Sequence, residues 1–490
     1  MKRTRIGNEV EMTEVAKNPD ALPEEPSGSP VESGSADLVS ALETPAVEAS
    51  AAPVPAVPVS AQENSAPEEP VPTGPNEAEA GQILEAAAEV AEAASTGSPA
   101  AARPEDDGRA HVLYLNHSAQ MSGAEASLRS LLWQFRRSDA PVDPVLGLPG
   151  GGDFADLMRD EGFNITLAPL RRLHRPRGLV DSMTSLVHVL QTTPFICRLV
   201  DQTHSDLVHS NSTTAHLVGG LAAERTGRPA IWHVRDLVAL GKLGPQLAAR
   251  SARIVAISAC VAEQLQKDGV PAEKITLIHN GLDPDEWRVR ERSHLRESLG
   301  IPDDAFLFGV VGQLVPWKNH AAFIAAAAAL VKDEGCANAR FAIVGGDLWG
   351  EQQPYVKELR RMVKENDLIE RFNFIPHQTD GVDAMSALDC LVHPALDEPF
   401  GRVVLEAMAL RKPVIAMAAN GPLEIVTNGH DGILVAPDAE NGLTVEMKRI
   451  LADQALREEL TSHSRATVEE KFHIALSAQK ILALYDEILG

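Results

Sequence analysis

Short apolar runs alternate with helix-length segments over most of this 490-residue chain, and this alternation constrains the fold more than any other feature. Runs rich in Val, Ile and Leu, with segments between them that are long enough for helices, are typical of parallel strands buried on both faces. The first part of the chain is therefore predicted to form a doubly wound parallel α/β domain. The predicted strands are HVLYLNH (111–117), PVLGLP (144–149), ITLAPL (165–170), DLVHSN (206–211), AIWHV (230–234) and RIVAIS (253–258).

A second series of apolar runs follows the segment ITLIHNGLDPDEW (275–287), in which the Asn-Gly-Leu-Asp turn at 280–283 is the predicted hinge. A second doubly wound domain is therefore predicted. Because ligands bind beyond the carboxyl ends of parallel strands, two such domains facing each other make a cleft for a ligand. The second series comprises LFGVVGQL (307–314), FAIVGG (341–346), FNFIP (372–376), CLVHP (390–394), PVIAMAA (413–419) and GILV (432–435).

The first 108 residues differ in composition from the rest of the chain. They contain no Phe, Trp, Tyr or Cys, and they carry 21 acidic side chains against 5 basic ones. Such a segment cannot bury enough apolar surface to offset the entropy lost on ordering, so residues 1–108 are predicted to be a disordered acidic tail. The tail is a candidate segment for binding a protein partner. The formal net charge of the whole chain, −25, gives no support to nucleic-acid binding.

The sequence contains no apolar run of membrane-spanning length, and its start, MKRTRIGNEVEMTE, lacks the apolar core of a secretory signal. We therefore expect a cytoplasmic protein. The basic segment PLRRLHRPRG (169–178), which precedes LVDSMTSLVHVLQ (179–191), leaves open a peripheral contact with the inner face of the membrane. The alternative is a solvated loop that leads into a core-facing helix.

Two glutamates, Glu398 and Glu406, lie on either side of a Pro-Phe-Gly sequence. Pro and Gly disfavour a helix interior, so Glu398 is predicted in a loop after the run CLVHP, and a helix over 402–410 is predicted to carry Glu406. A helix N-terminus offers free N–H groups to a phosphate, and carboxylates accept hydrogen bonds from sugar hydroxyls. The segment is therefore predicted to hold a sugar nucleotide, with two solvent-exposed helix carboxylates as the alternative.

The sequences E-P-F-G-R-V-V-L-E (398–406) and G-P-L-E-I-V (421–426) resemble the donor site of retaining GT-B glycosyltransferases, specifically of glycosyltransferase family 4. The resemblance covers most of residues 110–490. It implies two Rossmann-like domains facing across a cleft, and transfer of a hexose-type sugar with retention at the anomeric carbon. The implied domains are an acceptor-side domain over 109–283, a nucleotide-sugar donor domain over 284–465, and a C-terminal helix over 466–490 that packs back on the first domain.

The resemblance also implies roles for residues of the second domain. Glu398 is expected to hold hydroxyls of the transferred hexose, with backbone groups of Phe400 and Gly401 beside it. Glu406 is expected to bind the ribose of the nucleotide. Glu424, in the G-P-L-E-I-V sequence, is expected to support the loop.

The donor diphosphate is expected to lie against the segment VVGQLVPWKNH (310–320). Lys318 matches the lysine that relatives place there. Gln313 stands where relatives place an arginine; it can hydrogen-bond a phosphate but brings no charge. One cation in a closed, drier cleft can still stabilise the leaving diphosphate.

The first domain offers two candidate contacts. The sequence HSAQMSGAE (117–125) resembles the family's Gly-Gly-Ala-Glu loop with Ser122 in place of the first Gly, and Ser122 and Gly123 are expected to contact the donor. Ser122 and Glu125 also fit a capping box, so a helix cap is predicted here as well. His233 ends the run AIWHV, where relatives place a histidine that contacts the sugar, and Arg235 and Asp236 are candidates to orient it. The alternative for His233 is a packed core histidine.

No cofactor and no metal are expected, because no DxD-like motif follows a predicted strand, and Lys318 with helix N-termini supplies positive charge. The expected ligands are a nucleotide-sugar donor and an unidentified hydroxyl acceptor, which is a glycan, a lipid or a small molecule. Two alternatives stay open: a non-catalytic scaffold that binds a nucleotide sugar, and a GT-B epimerase or phosphorylase, since fold alone does not determine chemistry.

Overall fold

The computed structural model describes residues 108–172, 179–289, 293–348 and 350–490, with the side chains of the helix that begins at 179 described from 183 onward. All of these residues belong to one compact unit, Ala93–Gly490. The predicted acidic tail lies outside the described residues, apart from Gly108, and so does the basic segment beyond Arg172.

Thirteen strands form two parallel sheets in the described part of the chain, as the alternating pattern predicts. The first sheet has the order β3-β2-β1-β4-β5-β6-β7 and the second has the order β10-β9-β8-β11-β12-β13. The strands of the first sheet are β1 (Ala110–Leu115), β2 (Val142–Leu148), β3 (Asn164–Leu167), β4 (Leu207–Ser210), β5 (Ala230–Val234), β6 (Arg253–Ala256) and β7 (Ile275–Leu277). Those of the second are β8 (Phe306–Val311), β9 (Ala339–Val344), β10 (Phe372–Ile375), β11 (Cys390–His393), β12 (Val414–Met417) and β13 (Ile433–Val435).

Helices connect the strands and cover both faces of each sheet. We call the first sheet with its helices the first lobe, and the second sheet with its helices the second lobe. The helices before β8 are α1 (Gly123–Arg137), α2 (Asp153–Asp160), α3 (Leu179–Gln202), α4 (Thr213–Thr226), α5 (Leu243–Ala249), α6 (Ala259–Lys267) and α7 (His294–Ser298). Those after β8 are α8 (His320–Leu330), α9 (Gln353–Glu365), α10 (Gly381–Ser386), α11 (Arg402–Ala409), α12 (Pro422–Ile425), α13 (Gly442–Ala452), α14 (Gln454–Lys471) and α15 (Ile474–Leu489).

Strand β7 is not among the strands that the apolar runs predict, because the sequence indicates a connection between the domains at 275–287. The structure pairs it in parallel with β6, at the edge of the first sheet. It has only three residues, none of them fully buried. A strand this short and half-exposed, followed at once by His-Asn-Gly, carries too little apolar pattern to distinguish it from a loop.

Strand order places the ligand-facing loops. In each sheet the order reverses once, between β1 and β4 in the first lobe and between β8 and β11 in the second. Loops that leave the carboxyl ends of the strands at such a reversal separate from each other and open a crevice. The segments that carry Ser122, Gln313 with Lys318, and Glu398 follow β1, β8 and β11 respectively.

The last helix of the chain belongs to the first lobe. Its apolar residues Ile474, Ile481 and Tyr485 pack with α1, α2 and β1 in one buried cluster. The chain reaches it through a break at Phe472–His473, beside the connection that leads out of β7. There the Leu282 N–H donates to the Phe472 carbonyl at 2.8 Å, and the Ile474 N–H donates to the Leu282 carbonyl at 2.9 Å. The two passages of the chain between the lobes are thus hydrogen-bonded to each other.

Glycine is required at position 281 by this close approach. A Cβ atom there would lie 2.4 Å from the Cα of Ile474, which is backbone and cannot turn aside.

None of the described helices has the length and apolar character needed to cross a membrane.

Candidate active site

A cavity of about 830 Å³ lies between the carboxyl ends of the two sheets. Its walls come from both lobes, so neither domain forms it alone. Most of the residues selected from the sequence line it: Ser122, Gly123, Gln313, Lys318, Glu398, Phe400, Gly401 and Glu406.

An ion pair joins the loops that follow β8 and β11. The Lys318 Nζ donates to Glu398 Oε2 at 2.5 Å, and the two side chains are only 12% and 9% exposed. The Nε2 atom of His393 lies 3.2 Å from the same oxygen. Burial alone would raise the pKa of Glu398, but the Lys318 ammonium and His393 outweigh burial and hold this pKa well below its usual range. Glu398 is therefore a carboxylate at every physiological pH.

The backbone brings Lys318 to this position. Gly345 follows β9 at a φ of +150°, and a Cβ there would overlap the Gly312 carbonyl oxygen at 1.8 Å. The two strand ends can approach this closely only with glycine at 345. Beyond Gly312 the chain makes a short 3₁₀ turn, Pro316–Lys318, which directs the lysine back toward Glu398. Gln313 lies in the same segment and lines the cavity.

Glu406 lies on α11, one helical turn after Arg402, with which it forms an ion pair. The Arg402 Nε donates to Glu406 Oε1 at 2.9 Å, with both side chains about nine-tenths buried. Burial raises the pKa of Glu406, and Arg402 and Lys318 oppose that rise. The helix begins after Gly401, whose φ of +100° favours glycine, and no side chain caps the first turn of α11. Its free N–H groups are available to an anion in the cavity.

Phe400 is placed differently from its neighbours. Its side chain is 2% exposed, and its ring lies 5.9 Å from that of His279 and 6.1 Å from that of Phe472. The ring therefore anchors the Glu398 loop to the region where the chain passes between the lobes. That Phe400 offers backbone groups to a ligand stays a prediction.

The capping box predicted at Ser122 does not form. Ser122 occupies the residue before α1, but its side chain accepts no hydrogen bond from the helix backbone. Instead its hydroxyl donates to the carboxylate of Glu125, which is buried and also accepts a hydrogen bond from Asn116 Nδ2 at 2.8 Å. Burial raises the pKa of Glu125. The buried carboxylate thus takes the hydroxyl that the capping box would have used, and the first N–H groups of α1 stay uncapped beside the cavity.

The structure does not bring His233 to the cavity. The ring is 4% exposed, and its Nδ1 lies 3.1 Å from His209 Nε2, which is bonded in turn through Nδ1 to the hydroxyl of Tyr485 at 2.6 Å. Burial lowers the pKa of His233 well below its usual value. His233 is still within β5, and its ring lies beside His209, which bonds to Tyr485 of α15. The ring is packed as in the alternative of a core histidine, although its Nε2 has no hydrogen-bond partner among the described residues; a contact with the sugar stays a prediction.

Arg235 and Asp236, the next residues beyond β5, do line the cavity. The prediction that Arg235 orients His233 is wrong, because Arg235 donates instead to Asn211 and Asn280. The same role for Asp236 stays a prediction. Sequence reasoning also missed Arg402 as a cavity residue. Position directly after a strand end was the available signal for Arg235, whereas nothing in the helical pattern distinguished Arg402 from a solvent-exposed arginine.

Glu424 joins the two lobes rather than supporting its own loop. Both of its carboxylate oxygens accept from the Ala259 N–H, at 2.8 and 2.9 Å, at the start of α6. The same carboxylate lies 2.8 Å from His279 Nε2. An anion at a helix N-terminus is favourable, so this contact stabilises the arrangement of the lobes around the cavity.

No group of three or more metal-ligating side chains stands together in the residues that the structure describes.

Two family profiles match the chain, one over each lobe. The profile described as Glycosyltransferase Family 4 matches residues 121–286, and the profile described as Glycosyl transferases group 1 matches residues 291–467. Together they cover well over half of the chain. The chain is a GT-B glycosyltransferase of the group 1, family 4 type.

Solved structures and curated sequences agree with this assignment. The glycosyltransferase is similar to the Anabaena protein HepE, solved in complex with UDP and glucose, with 25% identity, a TM-score of 0.66, and coverage of 76% of this chain and 99% of that one. It is 25% identical over 306 residues to an uncharacterized glycosyltransferase of Methanocaldococcus jannaschii, covering 58% of this chain and 77% of the relative. It is 29% identical over 283 residues to a D-inositol 3-phosphate glycosyltransferase of Actinosynnema mirum, covering 53% and 67%.

Proposed function

We propose that this glycosyltransferase moves a hexose from a nucleotide-sugar donor to a hydroxyl acceptor, with a uridine diphosphate hexose as the donor. The observation that carries the proposal is the buried Lys318–Glu398 pair, which lines the same cavity as the Arg402–Glu406 pair. The similarity to HepE, which was solved with UDP-glucose at 25% identity, supports the choice of uridine.

Each pair has a distinct role in this proposal. Glu398 is held ionised, so it accepts hydrogen bonds from hydroxyls of the hexose. Lys318 places a cation beside the diphosphate, which gains negative charge as the glycosidic bond breaks. A donor of this kind, aimed at developing charge, lowers a barrier by about 3 kcal/mol. Glu406 accepts hydrogen bonds from the ribose.

The reaction proposed is substitution with retention. The bond between the anomeric carbon and the diphosphate oxygen breaks, the acceptor oxygen bonds to the same face of that carbon, and the acceptor proton passes to the departing phosphate. Glu398 is not the nucleophile of a glycosidase in this scheme, because it is already paired with Lys318 at 2.5 Å. Nuclear magnetic resonance of the product tests retention, and an inverted anomeric centre would exclude it.

The transfer is proposed to need no metal ion, since Lys318 and the uncapped first turn of α11 supply positive charge at the diphosphate. Donor hydrolysis measured with and without excess EDTA tests this point. A loss of activity that Mg²⁺ or Mn²⁺ restores would contradict it.

Donor identity is tested by titrating the purified chain with UDP-, GDP-, ADP- and dTDP-sugars, and by measuring release of the nucleotide. Selective binding of the uridine donor, weakened by Glu406→Ala, is the expected result. Binding of a different nucleotide would correct the donor. Binding without turnover, when acceptors are supplied, would favour a non-catalytic role.

The acceptor side of the proposal includes a peripheral contact with an anionic membrane. Met183, Leu186, Val187 and Leu190 lie at helical spacing on α3, and between 47% and 66% of each side chain is exposed. An apolar stripe of this width normally faces a core. The exposed Arg171 donates through Nε to His188 Nδ1 on the same helix at 3.0 Å, and its charge suits anionic lipid headgroups. Arg172, which is also exposed, pairs with Glu351 at 3.6 Å.

Sedimentation with vesicles tests this contact. The whole chain is expected to bind phosphatidylglycerol vesicles more strongly than phosphatidylcholine vesicles, and Leu186→Ser with Leu190→Ser is expected to abolish the difference. The matched control is Ile369→Ser with Val445→Ser, since those side chains of the second lobe are 58% and 57% exposed. Equal vesicle binding by both double variants would exclude α3 as the contact.

A further inference from the structure

Four positively charged side chains line the cavity, and three of them form ion pairs with carboxylates. The fourth, Arg235, makes no ion pair with any residue that the structure describes. The paired cations and their partners are Arg129 with Glu161 and Glu286, Lys318 with Glu398, and Arg402 with Glu406.

The guanidinium of Arg235 is held in place by neutral groups. Its Nε donates to Asn211 Oδ1 at 2.7 Å, and its Nη1 donates to Asn280 Oδ1 at 2.6 Å. Asn211 is anchored in turn, since its Nδ2 donates to Asn116 Oδ1 at 3.0 Å. Amide oxygens orient the guanidinium without cancelling its charge. The Nη2 group has no hydrogen-bond partner among the described residues, although the side chain is only 6% exposed.

The Glu125 and Asp236 carboxylates favour the charged form of Arg235, but neither forms an ion pair with it. A buried and oriented charge without an ion pair is costly unless a ligand completes it. A buried cation without a counter-ion loses hydration that neutral hydrogen bonds do not fully replace. Burial lowers the pKa of Arg235 to about 10, so the side chain stays charged at neutral pH. Asp236, the next residue, forms no ion pair in the described structure and is exposed to the open cleft. The unused donors of Arg235 are therefore available to an anion in the cavity.

We propose that Arg235 is a phosphate-binding residue of the first-lobe wall. It donates through Nη2 to a phosphoryl oxygen of the molecule in the cavity, opposite the Lys318 that the second lobe supplies. This inference rests on the proposed function, in which a nucleoside diphosphate occupies the cavity. The phosphoryl group belongs to the donor diphosphate or to a phosphorylated acceptor, and the two sources give different results below.

The role suits a guanidinium better than an ammonium. In its planar set of donors, Nε and Nη1 bind the asparagines while Nη2 is left to bind the phosphate. Because the first lobe provides one cation and the second lobe another, an anion in the cavity contacts both lobes. Binding of the anion would then favour the arrangement in which the lobes approach each other.

The test is calorimetric titration of the whole chain with inorganic pyrophosphate and with UDP. Arg235→Gln is expected to weaken pyrophosphate binding by about tenfold to hundredfold, the range of one charge-assisted hydrogen bond. Arg235→Lys keeps the charge but loses the planar donors, so an intermediate loss is expected; it also serves if the glutamine variant does not fold. The matched control is Arg250→Gln, which removes a guanidinium paired with Glu224. Arg250 precedes β6, so this pair lies at the amino ends of the strands, away from the cavity.

The outcomes separate this inference from the proposed function. Weaker binding of both probes in Arg235→Gln supports a contact with the donor diphosphate. Weaker binding of pyrophosphate with unchanged UDP binding supports the acceptor as the source of the phosphate. If pyrophosphate binding depends on Arg235 and no nucleoside diphosphate binds, the inference stands and the donor proposal fails. Unchanged binding of both probes, or the same loss in Arg250→Gln, overturns the inference.

Discussion

Replacing Lys318 with methionine should destabilise the protein, because the buried carboxylate of Glu398 then has no counter-ion. In the folded protein the Lys318 and Glu398 charges are 2.5 Å apart and about nine-tenths buried. At an effective dielectric constant of ~20 their attraction is about 7 kcal/mol, and the desolvation of both groups offsets part of it. Removal of one partner from such a pair typically costs about 3–5 kcal/mol, which is the expected loss in the free energy of unfolding at pH 7.

The sign of the pH dependence follows from the lowered pKa of Glu398. A carboxylate with a lowered folded-state pKa stabilises the fold above its unfolded value and loses that contribution as pH falls through the folded value. Lys318→Met removes the main cause of the lowering, so Glu398 can take up a proton near neutral pH. Between pH 7 and pH 5 the variant should therefore recover up to about 2.7 kcal/mol relative to the wild type.

Urea unfolding of the whole chain at pH 7 and pH 5, followed by circular dichroism, measures both quantities. Lys318→Met combined with Glu398→Gln should restore much of the stability lost at pH 7, because no unpaired charge is then buried. Lys448→Met serves as the control, since Lys448 pairs with Asp333 at the surface and its removal should change little. A loss below about 1 kcal/mol at pH 7, or an equal loss at both pH values, would refute the buried-pair reasoning.

Three further variants test other contacts. Glu406→Ala should raise the KM for the donor at least about tenfold in steady-state assays, since a charged hydrogen-bond acceptor is lost. Gly281→Ala should destabilise the fold by about 1–3 kcal/mol through overlap with the Ile474 backbone. Gly151→Ala should not, because the space around Gly151 is open. Equal melting temperatures of the two variants would contradict this prediction. Tyr485→Phe should cost about 1–2 kcal/mol in urea unfolding, because its buried hydroxyl bonds to a tyrosine and a histidine.

The architecture was largely predictable because buried parallel strands leave a strong pattern. Twelve of the thirteen described strands coincide with apolar runs identified in the sequence, and the exception is the three-residue edge strand β7. The gathering of Lys318, Glu398 and Glu406 around one cavity was also predictable, because residues after the ends of central parallel strands converge at the same edge of a sheet.

The details that the sequence did not reveal are those that depend on side-chain direction and on competition for hydrogen bonds. His233 and Arg235 are two positions apart, and only the structure shows that the histidine turns into the core while the longer arginine reaches the cavity. The hydroxyl of Ser122 satisfied the pattern of a helix cap but bonds to the buried Glu125 carboxylate. A sequence pattern gives the possible partners of a polar group, and the packed structure decides between them.

The return of α15 to the first lobe has a consequence for biosynthesis. Ile474, Ile481 and Tyr485 fill the same buried cluster as β1 and α1, yet the ribosome makes them only after the whole second lobe. The first lobe must therefore wait with part of its core exposed while the second lobe is synthesised and folds. During that interval the nascent first lobe presents apolar surface that α15 later covers, and it is the stage at which chaperone binding or aggregation would act.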